Sequence, residues 1–165
     1  MVLDAADAHG PAVCGSLLAS GADVIATGSP AELPGSLVDA GTGLPGELHY
    51  RSLASADGWA AVAEWIGTHT DKVHAIVGTP SAVTPAAEAL ASNLAPGVSI
   101  VTIGDQTAPI SGPRPGIRSN AIVLAGGRGS RPEDAGNAVA FLVSDLAELV
   151  DGAVIPIGER PADAI

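Results

Sequence analysis

Aromatic residues make up only 2% of the chain, and there is one cysteine, Cys14. A single cysteine cannot form an internal disulfide, and it suits a reducing compartment. Positive charge is also scarce: 7 Lys+Arg stand against 18 Asp+Glu, a formal net charge of −11. This balance argues against nucleic acid as a partner, because phosphate binding needs clustered Lys and Arg. It argues equally against an anionic membrane surface. No apolar run approaches the ~18 residues of a membrane span, and Met1 is not followed by a basic and then an apolar segment. The expectation is a soluble, acidic, cytoplasmic protein. Hydrophobic residues are 47% of the chain, too many for a disordered segment. Gly 21 and Pro 13 together stay below the roughly 25–30% that marks low complexity. With 165 residues, the chain is expected to form one domain, 1–165.

Short β-rich runs alternate with alanine-rich stretches. Strand candidates are Met1–Leu3, Ala22–Ala26, Leu48–Arg51, Val73–Val77, Ser99–Ile103, Ile117–Val123 and Ala153–Ile157. Most are nearly continuous apolar runs, the pattern of parallel strands covered on both faces. Helices fit between them. One is expected over Gly10–Ser20, and a second carries Trp59, Val62 and Ile66 on one face. Thr84-Pro85 has the signature of a hydroxyl N-cap with Pro at the first helical position, predicting a helix to about Leu94. Ser130-Arg131-Pro132-Glu133 has capping-box spacing, with Ala138, Leu142, Leu146 and Leu149 on one face after it. Ser29-Pro30-Ala31-Glu32 has the same spacing, but Pro34-Gly35 and later glycines keep any helix there short. The alternation predicts an α/β, Rossmann-like, doubly wound parallel sheet of about six to seven strands. Gly104–Gly116 interrupts the pattern. Pro109, Pro113 and Pro115 exclude a regular helix there, so the two flanking strands are expected to be joined by an extended loop.

The last third of the chain carries a family likeness. Gly116-Ile117-Arg118-Ser119-Asn120-Ala121-Ile122 resembles the sixth strand of short-chain dehydrogenases/reductases (SDRs), Arg131–Asp145 resembles the helix after it, and Val150–Ile157 resembles their final strand. Leu18–Gly28 looks like the end of their first helix and their second strand. The resemblance is to a truncated, degenerate SDR. It implies that the phosphate loop Thr-Gly-x-x-x-Gly-x-Gly falls on Leu3–Gly10, where only Gly10 survives. Asp4 and Asp7 would set negative charge beside a pyrophosphate, which such a loop holds with backbone N–H groups. The adenine-holding Asp-Val falls on Ser52-Leu53, the Asn-Asn-Ala-Gly motif on Gly78-Thr79-Pro80-Ser81, and the catalytic Ser on Asp105. The helix that carries Tyr-x-x-x-Lys has no counterpart. The only tyrosine, Tyr50, and the only lysine, Lys72, lie elsewhere. Without that pair the family's proton donor is missing, so no nicotinamide cofactor is expected.

In open α/β sheets, ligands sit at the carboxyl ends of the strands. That edge collects Asp4, His9, Thr27, Ser52, Thr79, Asp105 and Arg128. Asp4, His9 and Asp105 are the candidate acid–base group; Thr27, Ser52, Thr79 and Arg128 are candidates to line a pocket for a small apolar ligand. The bland alternative is that these are capping or solvated residues, since Asp and Ser are ordinary at strand-to-helix turns. His49, His69 and His74 lack metal-ligand spacing, and no metal is expected. Cys14, inside the first helix, is expected to be buried and inert. Gly126-Gly127-Arg128-Gly129 is either a backbone anion nest or a loop remnant. Trp59 and Trp65 read as helix-face packing, with an exposed Trp65 as an alternative interface anchor.

The resemblance also implies a mode of association. Of the family's two usual interfaces, the one built from the last helix and last strand is present, here Ala138–Val150 and Ala153–Ile157. A homo-oligomer, or a hetero-oligomer with a full-length SDR, is expected through that face. Three functions remain open from sequence. They are a structural or assembly pseudo-enzyme, a cofactor-independent cyclase, isomerase or dehydratase, and an atypical oxidoreductase.

Overall fold

The computed structural model describes residues 1–54, 58–105, 116–124 and 131–158. The strands are β1 (Val24–Gly28), β2 (Leu48–Ser52), β3 (Val73–Gly78), β4 (Leu94–Gly104), β5 (Ile117–Leu124) and β6 (Val154–Ile157). The helices are α1 (Gly10–Ala19), α2 (Gly35–Gly41), α3 (Gly58–His69), α4 (Pro80–Ala89) and α5 (Pro132–Val143). All strand pairs are parallel: β1 with β2, and β3, β4, β5 and β6 in sequence. Val2 joins the two groups by bridging Ala26 on one side and Val77 on the other. The expected first strand is therefore reduced to this bridge, held by Val2 N–H to Ile25 O at 2.9 Å and Leu3 N–H to Val77 O at 2.8 Å. Spatial order is β2, β1, the Met1–Leu3 segment, β3, β4, β5, β6, with the reversal of direction between β1 and β3.

Alternation of side chains across this sheet divides the core in two. Val24, Ala26, Val77, Val101 and Ile122 pack with Val13, Leu17 and Leu18 of α1 and Val139 and Leu142 of α5. Ile25, Ile76 and Ile100 pack with Val62 and Ile66 of α3 and Val83 and Ala86 of α4 on the other face. Every residue of β1 is buried, which is why it reads as a continuous apolar run. This is the doubly wound architecture the alternation of elements predicts.

Two helices differ from their expected bounds. α4 begins at Pro80, not at Thr84-Pro85: Thr79 is its N-cap residue and Pro85 lies inside it. Both Thr-Pro pairs carry the start signature, and packing decides between them. The earlier start places Val83, Ala86 and Ala87 in the core. α5 ends at Val143 and a 3-10 turn, Asp145–Ala147, follows. Ala138 and Leu142 pack inward as expected, but Leu146 and Leu149 lie beyond the helix and are 87% and 96% exposed. The N-cap position of α5 is Arg131, with Pro132 at the first helical position and no side-chain cap. Ser130, of the expected capping box, lies outside the described residues, as does most of the connection between β4 and β5. The short helix expected near Ser29 forms later, as α2, once Pro34 has set the entry backbone.

Arg118 and Asn120 of β5 explain much of the C-terminal layout. Arg118 donates to Ala147 O at 2.6 Å and to Leu142 O at 3.4 Å, satisfying carbonyls where α5 and the following turn end. Asn120 is fully buried and donates to Val150 O at 3.0 Å, while its Oδ1 accepts from Ala153 N–H at 3.0 Å. Ser99 Oγ donates to Leu142 O at 3.2 Å from the neighbouring strand. Together they fasten the α5–β6 connection to the sheet.

Candidate functional site

The site lies at the carboxyl ends of the central strands, beside the reversal of strand order, where doubly wound sheets leave a crevice. Chain direction at that point is set by the segment from Leu3 to Gly10. Leu3 ends the bridge, and Asp4 then turns the chain with φ +48°, the one non-glycine residue with positive φ among those described. Aspartate tolerates this left-handed conformation because its short polar side chain can bond locally. Asp7 N–H donates to Asp4 O at 2.9 Å and Gly10 N–H to Asp7 O at 3.0 Å, carrying the loop into α1. A Cβ at Gly10 would stand 2.1 Å from Ala5 O, so only glycine lets α1 start this close to the loop. Gly78 does the same for the next strand, since its Cβ would be 2.8 Å from Leu3 Cβ.

Between these elements is a cavity of about 400 Å³. Its apolar lining comes from Val2, Leu3, Val13, Val77, Ile103 and Leu124, and its polar lining from Asp4, Asp7, His9 and Thr79. Burial pushes the Asp4 carboxyl above its ordinary value, and the neighbouring charge of Asp7 adds to the rise. His9 Nδ1 is screened from solvent and has no hydrogen-bond partner among the described residues. The N–H groups of Ala8 and His9, at the entry to α1, donate to no backbone carbonyl among those residues.

The expected site residues separate. Asp4, His9 and Thr79 are brought together on the cavity. Asp105 is exposed at the end of β4 and does not join them; the lining at that strand end is Ile103 and Gly104. Thr27 is fully buried, and its Oγ1 has no partner among the described residues. Its neighbours on β1, Ala26 and Ile25, pack on opposite faces, and Thr27 shares the face of Ile25, under α3 and α4. It therefore lies on the far side of the sheet from α1. Ser52 Oγ accepts from Ala54 N–H at 3.2 Å and serves the turn after β2. Arg128 and the glycines around it lie outside the described residues.

Asp7 reaches the same cavity as Asp4, as its place in the loop implies. Two contributions were not foreseen. Val13, Ile103 and Leu124 supply the cavity's apolar wall; the first is one helical turn into α1, and the other two end core strands. Tyr50 closes the tip of β1, with its hydroxyl donating to Pro30 O at 2.8 Å.

This crevice is where a doubly wound domain would hold a dinucleotide. Gly10 retains the close helix approach such loops need. Asp4 keeps the left-handed turn of the first glycine but brings a carboxylate. Ala8 stands where a second glycine would let backbone approach the pyrophosphate. The end of β1, where an acidic residue holds the adenosine ribose in such folds, is Gly28-Ser29-Pro30 and has no carboxylate. The backbone of a nucleotide loop is present, but its side chains do not fit a pyrophosphate or its ribose.

The class defined by the fold is thus the doubly wound Rossmann architecture. Comparison with solved structures narrows it further. An SDR from Serratia marcescens BCRC 10948 superposes with a TM-score of 0.69 at 16% identity, over 94% of this chain and 94% of that one. A protein from Brucella melitensis titled SDR:glucose/ribitol dehydrogenase gives 0.73 at 17% identity, over 94% and 93%. An SDR from Mycobacterium ulcerans gives 0.68 at 18% identity, over 94% and 86%. The fold of the chain is that of the SDRs, as the sequence resemblance implied. No family model and no curated protein matches the sequence.

Proposed function

We propose that this chain is an SDR-fold pseudo-enzyme that does not carry out nicotinamide-dependent redox chemistry and acts as a structural or assembly subunit. The observation that carries the reading is the pair Asp4 and Asp7 in the former phosphate loop. Two carboxylates on one cavity oppose the pyrophosphate that the loop's backbone would otherwise accept. Association is supported by the β6 edge of the sheet. Phe141, Leu146, Leu149 and Val154 are 45%, 87%, 96% and 47% exposed, and all four lie on α5, the turns after it, or β6. β6 pairs only with β5 among the described residues, which leaves an apolar edge that proteins generally cover. A second copy of the chain, or a full-length SDR, is the proposed cover. A single buried thiol, Cys14, suits a cytoplasmic setting. No helix among the described residues is long and apolar enough to cross a membrane.

The test of assembly is light scattering at micromolar concentration, alone and with candidate SDR partners. A dimer or a mixed complex is expected; a monomer under every condition would end the assembly reading.

One observation favours a second reading, a cofactor-independent enzyme of the cyclase, isomerase or dehydratase type. Asp4 and His9 line the same apolar cavity, and a carboxyl pushed above its ordinary value by burial, on one cavity with an imidazole, is a combination suited to proton transfer. In this reading Asp4 donates and His9 accepts. Turnover of an apolar substrate, lost in both Asp4→Asn and His9→Gln, is the result that would replace the subunit reading with this one.

A further inference from the structure

The cavity beside Asp4 has a wall, a rim and a sign. The wall is hydrocarbon: Val13 from α1, Val77 from β3 and Ile103 from β4. The rim carries Asp4, Asp7 and His9, and no lysine or arginine lines it among the described residues. A volume of about 400 Å³ lies toward the small end of the ~300–1,000 Å³ range of ligand pockets. The same crevice in a nucleotide-binding domain attracts anions. Here two carboxylates outweigh the partial positive charge of one helix N-terminus, which is equivalent to roughly half an elementary charge. The chain's net charge of −11 deepens the negative potential.

A second, independent feature points to a ligand. His9 lines this cavity, and its Nδ1 is shielded from solvent and lacks any hydrogen-bond partner among the described residues. Buried polar atoms are nearly always satisfied, so a turn of this ring toward a group in the cavity would supply the missing bond. Asp4 is held in a left-handed turn, partly desolvated and next to Asp7. An incoming cation would offset both the desolvation and the repulsion.

We propose that the cavity binds a small organic ammonium, with its hydrocarbon body against Val13, Val77 and Ile103 and its protonated amine at Asp4. Asp7 adds to the field, and the His9 ring turns its unpartnered Nδ1 to accept a hydrogen bond from the ligand. The proposal rests on the reading that this crevice no longer holds a dinucleotide.

The test is calorimetry with three probes of one shape: 4-phenylbutylamine, 4-phenylbutanol and 4-phenylbutyrate, at pH 7 and low salt. The amine is expected to bind at least about ten-fold more tightly than the alcohol, with the carboxylate weakest. Asp4→Asn is expected to bring the amine down to the level of the alcohol while leaving alcohol binding unchanged. Asparagine tolerates positive φ as readily as aspartate, and a thermal melt checks that the variant is folded. If Asp4→Asn fails to fold, Asp7→Asn supplies the same comparison, with a smaller loss of amine preference. Raising salt should weaken amine binding only. Equal binding of amine and alcohol, preference for the carboxylate, or no binding of any probe at millimolar concentration overturns the proposal. NADH and NADPH are titrated in parallel. Dinucleotide binding overturns the underlying reading, whereas loss of the amine preference without dinucleotide binding overturns only this inference.

Discussion

The position of Asp4, half-buried in a left-handed turn beside Asp7, predicts an unusual stability effect. Burial and Asp7 push its carboxyl above the ordinary value, so the folded state holds the proton more tightly than the unfolded chain does. Stability from this group is greatest at low pH. It falls as pH rises from the unfolded value of 3.8 through the raised folded one. At neutral pH the whole penalty is present. Asp4→Asn is therefore expected to raise the melting temperature at pH 7, and the gain should vanish at the acid end. A lower melting temperature at pH 7 would show that the Asp4 charge is compensated in the fold. A stabilising substitution at a cavity-lining residue is the usual sign of a position kept for function. Cys14 gives the opposite case. It is fully buried in α1, and its thiol is pushed up to about 12, chiefly by burial. The native protein should not react with a thiol reagent at pH 8, and one equivalent should react on denaturation. Rapid labelling of the native chain would contradict the packing of α1.

Glycines and the β5 hydrogen bonds set the joints between elements. A Cβ at Gly10 meets Ala5 O at 2.1 Å, and one at Gly136 meets Ser16 Oγ at 2.5 Å and Ala12 O at 2.6 Å. The first joint places α1 on the loop, and the second lets α1 and α5 lie against each other. Gly10→Ala and Gly136→Ala are each expected to cost about 1–3 kcal/mol, because backbone must move in both. Denaturant melts measure this, and unchanged midpoints would mean the elements are less closely joined. Asn120→Ala would strand the Val150 carbonyl and the Ala153 N–H in the interior. A loss of about 2–4 kcal/mol is expected. The sequence motif around Arg118 and Asn120 was legible as a family likeness. Its physical reason, fastening the α5–β6 connection, required the structure. Element boundaries were less legible where two signals compete, as at Thr79-Pro80 and Thr84-Pro85, because burial chooses between identical start signatures. Leu146 and Leu149 kept helical spacing after the helix had ended, so periodicity alone assigned them to a face that does not exist there.

At the scale of the whole molecule, the alternation of apolar runs and alanine-rich stretches was enough to read a doubly wound parallel sheet. The site was legible only in part. Asp4, His9 and Thr79 could be placed at one edge because strand ends determine that edge. Thr27 and Asp105 could not be resolved, because alternation across the strand and exposure at its end depend on register. Val13 and Ile103 fell inside an expected helix and strand and Leu124 one residue past a strand, and nothing in the spacing marked them as the cavity wall. The proposed assembly makes its own prediction at this scale. Replacing Phe141 and Val154 together with glutamate should leave a folded monomer if their apolar face is the covered one. An unchanged oligomer in that double variant would place the interface elsewhere.

The proposed function stands or falls on whether this SDR fold still takes a nicotinamide dinucleotide. Isothermal titration of the intact chain with NAD+, NADH, NADP+ and NADPH at pH 7 tests it most directly. No saturable binding up to millimolar concentration is expected, because Asp4 and Asp7 line the crevice a pyrophosphate would occupy. Binding of any one of the four in the micromolar range would contradict it.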